Sequence, residues 1–187
     1  MELKRIVSAL AVLLLLTGCS REENLLERGI TLRERLSREG CQFQAGVEAD
    51  FGEMTYSFLM DCQVDSQGPL SFKVVSPETI ADITGVISAG KGTLTFDGTL
   101  LAFPLLADGE ISPVSAPWLL MHTLRGGYLH AAGKEEEGLR LTVYDSYEED
   151  ALCLDIWLNE ENIPTFAEVL WQGRRILSIR VENFVFV

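Results

Sequence analysis

"CQFQAGVEADFGEMTYSFLMDC", residues 41–62, carries the reading that decides the fold. Phe43, Val47 and Ala49 alternate with polar residues, and Thr55, Tyr56, Phe58 and Met60 continue with strand-forming residues. Alternation at period two marks a strand with one buried face, and Asp50-Phe51-Gly52-Glu53 between the two runs has turn composition. The segment therefore predicts a β-hairpin. With Phe51-Gly52 as its loop, Cys41 falls opposite Cys62 in a non-hydrogen-bonded pair, where the backbones approach closely. A cross-strand disulfide fits that position in an exported protein. Two separate buried thiols are the alternative.

Similar extended stretches follow at Leu70–Ser76, Ile83–Ser88, Thr93–Phe96, Leu100–Leu106, Tyr128–Ala132, Leu139–Asp145, Ala151–Leu158, Thr165–Trp171 and Arg174–Phe186. Gln172-Gly173 reads as a tight turn between the last two. Leu152, Leu154, Ile156 and Leu158 share one strand face, with Cys153, Asp155 and Trp157 on the other. Pro77–Asp82 has room for one helical turn. "SAPWLLMHTLRGG" (115–127) is the clearest internal helix: Ser115 can cap it, Pro117 suits the first turn, and Gly126 stops it. Its apolar residues cover nearly the whole surface, so it is expected to be buried on more than one side. A weaker amphipathic helix is expected over Asn24–Arg38, built on Leu25, Leu26, Ile30, Leu32 and Leu36. Together these predict a mainly β, α+β chain: one curved antiparallel sheet forming an incomplete barrel, with two or three helices on its concave face.

The front of the chain is different. Lys4 and Arg5 precede an apolar run, Ile6–Leu16, too short for the roughly 20 residues a spanning helix needs. A charged start, a short apolar stretch and small residues describe a secretory signal. Leu16-Thr17-Gly18-Cys19 resembles the lipobox of bacterial lipoproteins, in which the cysteine takes a diacylglycerol and becomes the new first residue. The expected organisation is a signal peptide at 1–18, a lipidated stem and helix at 19–40, and one body at 41–187. Cys19 is then the membrane anchor, and several acyl chains on one residue hold where one binds only marginally.

The intact chain carries a formal charge of −13. Removing residues 1–18 takes away Lys4, Arg5 and Glu2 and leaves 13 cations against 27 anions, or −14. Residues 19–38 sum to +1, so the body from residue 39 carries −15. Such a body repels nucleic acid and anionic headgroups. Localisation in the cell envelope follows, on the extracytoplasmic face of the membrane.

Motifs for chemistry fail on inspection. In "GVISAGKGT" (85–93), Gly85, Gly90 and Lys91 match a phosphate loop, but Gly92 stands where the metal-binding hydroxyl belongs, and strand-forming residues follow in place of a helix. A hairpin turn explains it better. Ser88 and Lys91 match S-x-x-K without its companion motifs. His122 and His130 have no ligand spacing and read as core or boundary residues. Cys153 reads as a small hydrophobe. The acidic runs 135–137 and 148–150 fit no calcium loop and read as hairpin ends. No enzyme activity, metal or cofactor is expected.

The order of elements resembles a known group. "FKVVSPETIADITG", "GTLTFDGTLLAFPLL", the short helix and the terminal "PTFAEVLWQGRRILSIRVENFVF" are together similar to the LolA-like fold of lipoprotein carriers, their lipidated receptors and related envelope lipoproteins, with lipidated Gram-positive members the best likeness. The resemblance spans most of residues 24–187. It implies an incomplete barrel with helices in its mouth and acyl chains or lipid-modified partners, including another lipoprotein, held between sheet and helices. Trp118, Leu120, Met121 and Leu124 on the internal helix are the candidate cavity residues, with a filled core as the alternative. A second function stays open: an interaction module that holds an envelope protein in stress sensing or spore and wall processes, without lipid cargo.

Overall fold

A computed structural model describes residues 20–50, 52, 54–88, 91–96, 99–104, 106–107 and 110–187. The leader at 1–18 and the anchor Cys19 lie outside the described residues. The described residues open with α1 (Ser20–Arg38) and continue through β1 (Cys41–Asp50), β2 (Thr55–Val64), β3 (Leu70–Ser76), β4 (Thr84–Ser88), β5 (Lys91–Phe96) and β6 (Thr99–Pro104). Two short strands follow, β7 (Leu106–Ala107) and β8 (Glu110–Ile111), then α2 (Ala116–Gly126). The second half is a meander of β9 (Tyr128–Glu135), β10 (Gly138–Tyr144), β11 (Cys153–Leu158), β12 (Pro164–Trp171) and β13 (Arg174–Phe186).

Eleven strands form one sheet in the order β6-β5-β4-β3-β2-β1-β13-β12-β11-β10-β9. Its pairs are all antiparallel. The first and last strands of the chain meet at its centre, and β6 and β9 form its two edges, so the sheet is open. The chain is mainly β, as the alternation requires. Buried residues recur at every second position, as in Leu139, Leu141 and Val143 of β10 and Leu154, Ile156 and Leu158 of β11. These define an inner face. Both helices pack on it: α1 contacts β9 and β10, and α2 contacts β10 and β13.

The β1–β2 hairpin keeps its place but changes its register. Asp50 pairs with Thr55, so the connection spans four residues, 51–54, and each strand partner moves by two. Cys41 consequently faces Val64, and Cys62 faces Phe43. Both thiols are free and buried. The expected Cys41–Cys62 disulfide is thereby corrected: it required a two-residue loop, and the longer loop sets the sulfurs diagonally instead of directly opposite. The final turn agrees with its reading: Gln172 and Gly173 both have positive φ, 50° and 78°, the geometry that suits a two-residue hairpin. "GVISAGKGT" is the β4–β5 hairpin, with Ser88 paired to Lys91.

The helices also depart from expectation in detail. α1 already includes Ser20, four residues ahead of Asn24. Ser115 makes no side-chain cap to α2; its hydroxyl donates to the Ser112 carbonyl at 2.6 Å within a preceding 3-10 turn, Pro113–Ser115. At the far end the Gly127 N–H donates to the Thr123 carbonyl at 2.8 Å.

Candidate functional site

The four residues expected to line a cavity sit on α2, and the structure closes three of them into the core. Leu120 is 0%, Met121 1% and Leu124 3% exposed. They belong to the same buried cluster as Leu32 and Leu36 of α1 and Ile179 and Val181 of β13. Trp118 is half-buried against this cluster, its ring stacked on His122 at 4.5 Å. His122 and His130 are both exposed, a correction to their reading as core or boundary side chains. Cys153 is half-buried.

Two arginines fasten α1 to α2. Arg33 donates from Nε to the Leu124 carbonyl and from Nη2 to the Gly127 carbonyl, both at 2.8 Å. These oxygens close the end of α2, where carbonyls lack helical partners and a cation is favoured by the helix dipole. Arg125 returns the contact, donating from Nε to the Leu36 carbonyl of α1 at 2.9 Å. Burial holds both guanidiniums below their usual pKa. A third arginine, Arg28, donates to the Asn162 side chain and the Asn159 carbonyl beyond β11.

The open concavity lies on the other face of the sheet. A groove of about 540 Å³ runs across the outer side of β1–β5. Gln42, Gln63 and Lys73 supply long polar side chains, Asp61 a carboxylate, and Ser71, Thr84, Thr93 and Thr95 hydroxyls. Register explains the grouping. Gln42 pairs with Gln63, Gln63 with Ser71, Ser71 with Val86 and Val86 with Thr93, so one outward row crosses five strands, and Asp61, Lys73, Thr84 and Thr95 form the row beside it. The short residues, with Gly85, form low ground beside the longer ones. Gly85 is required by the opposite face: a Cβ there would overlap the ring of its partner Phe72. Val86, 45% exposed, joins Phe72 and Cys62 in the lining, so the floor of the groove is apolar between its polar side chains. Lys73 is held by Asp82 at 2.8 Å, which raises its pKa through that hydrogen bond.

Sequence reasoning missed this groove. Its residues were legible only as the solvated side of alternating strands, and nothing in a polar alternation distinguishes a flat surface from a sunken one. A smaller cavity of about 190 Å³ lies near Glu48, Asp50 and Arg175. Among the described residues no group of three or more His, Cys, Asp or Glu side chains is placed to hold a metal. No helix among them is long and apolar enough to cross a membrane.

No family model matches the sequence, and no curated protein matches it. Solved structures are similar to it at low identity. An uncharacterized conserved protein from Thermus thermophilus is 16% identical with a TM-score of 0.48, covering 88% of this chain and 86% of that one. A LolA superfamily protein from Nitrosomonas europaea is 5% identical with a TM-score of 0.42, covering 83% and 92%. The MucA/MucB complex of Pseudomonas aeruginosa is 14% identical with a TM-score of 0.41, covering 87% of this chain and 56% of the matched one.

Proposed function

We propose that this chain is a lipid-anchored, non-enzymatic envelope protein whose body holds a polypeptide partner. The groove of about 540 Å³ on the outer face carries this reading. Its amides, hydroxyls and single ammonium offer donors and acceptors at the spacing of successive strands, which suits the alternating polar groups of an extended peptide. Anchoring rests on Leu16-Thr17-Gly18-Cys19: acyl groups on Cys19 would keep the body at the extracytoplasmic surface of the membrane, behind a near-neutral stem.

Acyl-chain binding on the inner face is the second reading, favoured by Tyr56 and Trp171. Each lies at the same end of the sheet and is exposed, 46% and 38%, although its position in the alternation is on the inner side. Leu120, Met121 and Leu124 would have to separate from the sheet to admit a chain, because α2 rests directly on it. A photo-crosslinking residue placed at Thr93 in the full-length protein separates the two. A discrete protein adduct in intact cells supports the partner reading. Co-purifying lipid with no adduct at Thr93 overturns it in favour of acyl cargo.

A further inference from the structure

The opposite wing of the outer face carries four neighbouring rings that the groove does not use. Tyr128 and Tyr144 are cross-strand partners on β9 and β10. A bulge between Thr142 and Val143 leaves His130 without a direct partner and adds it to this side. Tyr147, from the β10–β11 connection, folds back onto Tyr128 with centroids 5.0 Å apart. His130 lies 5.4 Å from Tyr144, edge to face, and 6.1 Å from Tyr128. Three of the rings are open to solvent, Tyr128 at 44% and Tyr147 at 86% with His130 exposed, and Tyr144 is half-buried beneath them.

Charge sets the kind of partner. Residues 141–173, which supply Tyr144, Tyr147 and the strands beside them, hold eight carboxylates and no cation, and the flanking Arg140 and Arg175 are held by Glu135 and Glu168. Asp155 is on the same face, one register step from Tyr144, accepting from the Thr142 hydroxyl at 2.6 Å. Ring faces carry negative potential, and a cation within about 6 Å of a centroid is attracted to them. Open ring faces beside a carboxylate-rich segment favour a cation over an anion or a neutral apolar group.

We propose that Tyr128, His130, Tyr144 and Tyr147 form a platform for the arginine or lysine side chain of a basic protein segment. The site is separate from the groove: crosslinking at Thr93 reports the groove, the titration below reports the rings, and either can succeed when the other fails. The probe is a fluorescent peptide of alternating arginine and serine, titrated into full-length protein in non-ionic detergent. Salt at about 0.5 M screens the general acidity of the body while leaving close ring contacts. Tyr147→Ala is expected to weaken binding about two- to fivefold, the range of one exposed cation–ring contact. Tyr147→Phe, which keeps the ring, is expected to restore it. Equal affinity in Tyr147→Ala, a Tyr147→Phe variant as weak as Tyr147→Ala, or no binding at this salt would each overturn the proposal. Tyr147 stands largely in solvent, so its loss leaves the fold intact to report the result.

Discussion

Cys41 and Cys62 share the buried face of the β1–β2 hairpin, and their chemistry follows from burial. Desolvation disfavours the thiolate and lifts the Cys41 pKa from 9.0 to about 11, with Arg125 pulling the other way. Cys62 is pushed up further by burial, by Asp61 and by Cys41. A thiol that keeps its proton longer when folded contributes stability that is whole below its unfolded pKa and lost as pH rises through the folded one. For Cys41 that window runs from about pH 9 to about pH 11. Urea denaturation across it should show the wild-type protein losing more stability than Cys41→Ala, by on the order of 1–2 kcal/mol. Alkylation at pH 8 should leave both thiols unmodified in the folded protein and modify them in denaturant, with half-buried Cys153 reacting first. The alternation that buries these residues was legible from Phe43, Val47 and Phe58. Their pairing was not, because hairpin register depends on loop length, and a run such as Asp50–Glu53 accommodates two or four connecting residues without altering which face each side chain takes.

Helix α2 was legible as an element, from Pro117 in its first turn to the glycines at its end, and as buried on more than one side. Whether it enclosed space was not legible, because an apolar helix has the same composition against a cavity as against packed side chains. The separation of helix and sheet decides, and here Leu120 and Met121 are closed against the core. Leu120→Ala should therefore cost about 2–5 kcal/mol in chemical denaturation, as a truncation in a close-packed core does. A cost near zero would mean that the residue lines open space, restoring the acyl-binding reading. The α1–α2 clasp makes a parallel prediction. Arg33→Ala leaves the Leu124 and Gly127 carbonyls without their donor and should cost about 1–3 kcal/mol. Hydrogen exchange should quicken selectively at the end of α2, where those carbonyls close the helix. Nothing in the spacing of Arg33 announced this role. Arginine among leucines on an amphipathic helix reads as solvated, and only the fold brings it beside an unsatisfied helix terminus.

At the scale of the molecule, an open sheet with its first and last strands paired at the centre leaves two very different surfaces. On the inner one, among the described residues, both helices pack and Leu120, Met121 and Leu124 are buried. The outer one carries a groove on the β1–β5 wing and open rings on the β9–β10 wing. The architecture was legible from the alternating runs and their short connections; the relief of the outer surface was not, because curvature depends on how the strands coil together and on where short residues such as Thr84 and Thr95 fall side by side. The body's charge of −15 would be repelled by an anionic bilayer, so residence at the membrane under the proposed reading rests on the acylated end. Cys19→Ser therefore tests the tether without touching the body. The variant should lose incorporation of labelled palmitate and leave the membrane fraction at any ionic strength, since acyl insertion is hydrophobic and salt does not screen it. Its thermal unfolding midpoint should stay unchanged, because the anchor lies before α1 and the buried cluster is built from Leu32 onward. Membrane retention that persists in Cys19→Ser but washes off with salt would assign the attachment to surface charge and remove the lipid anchor from the account.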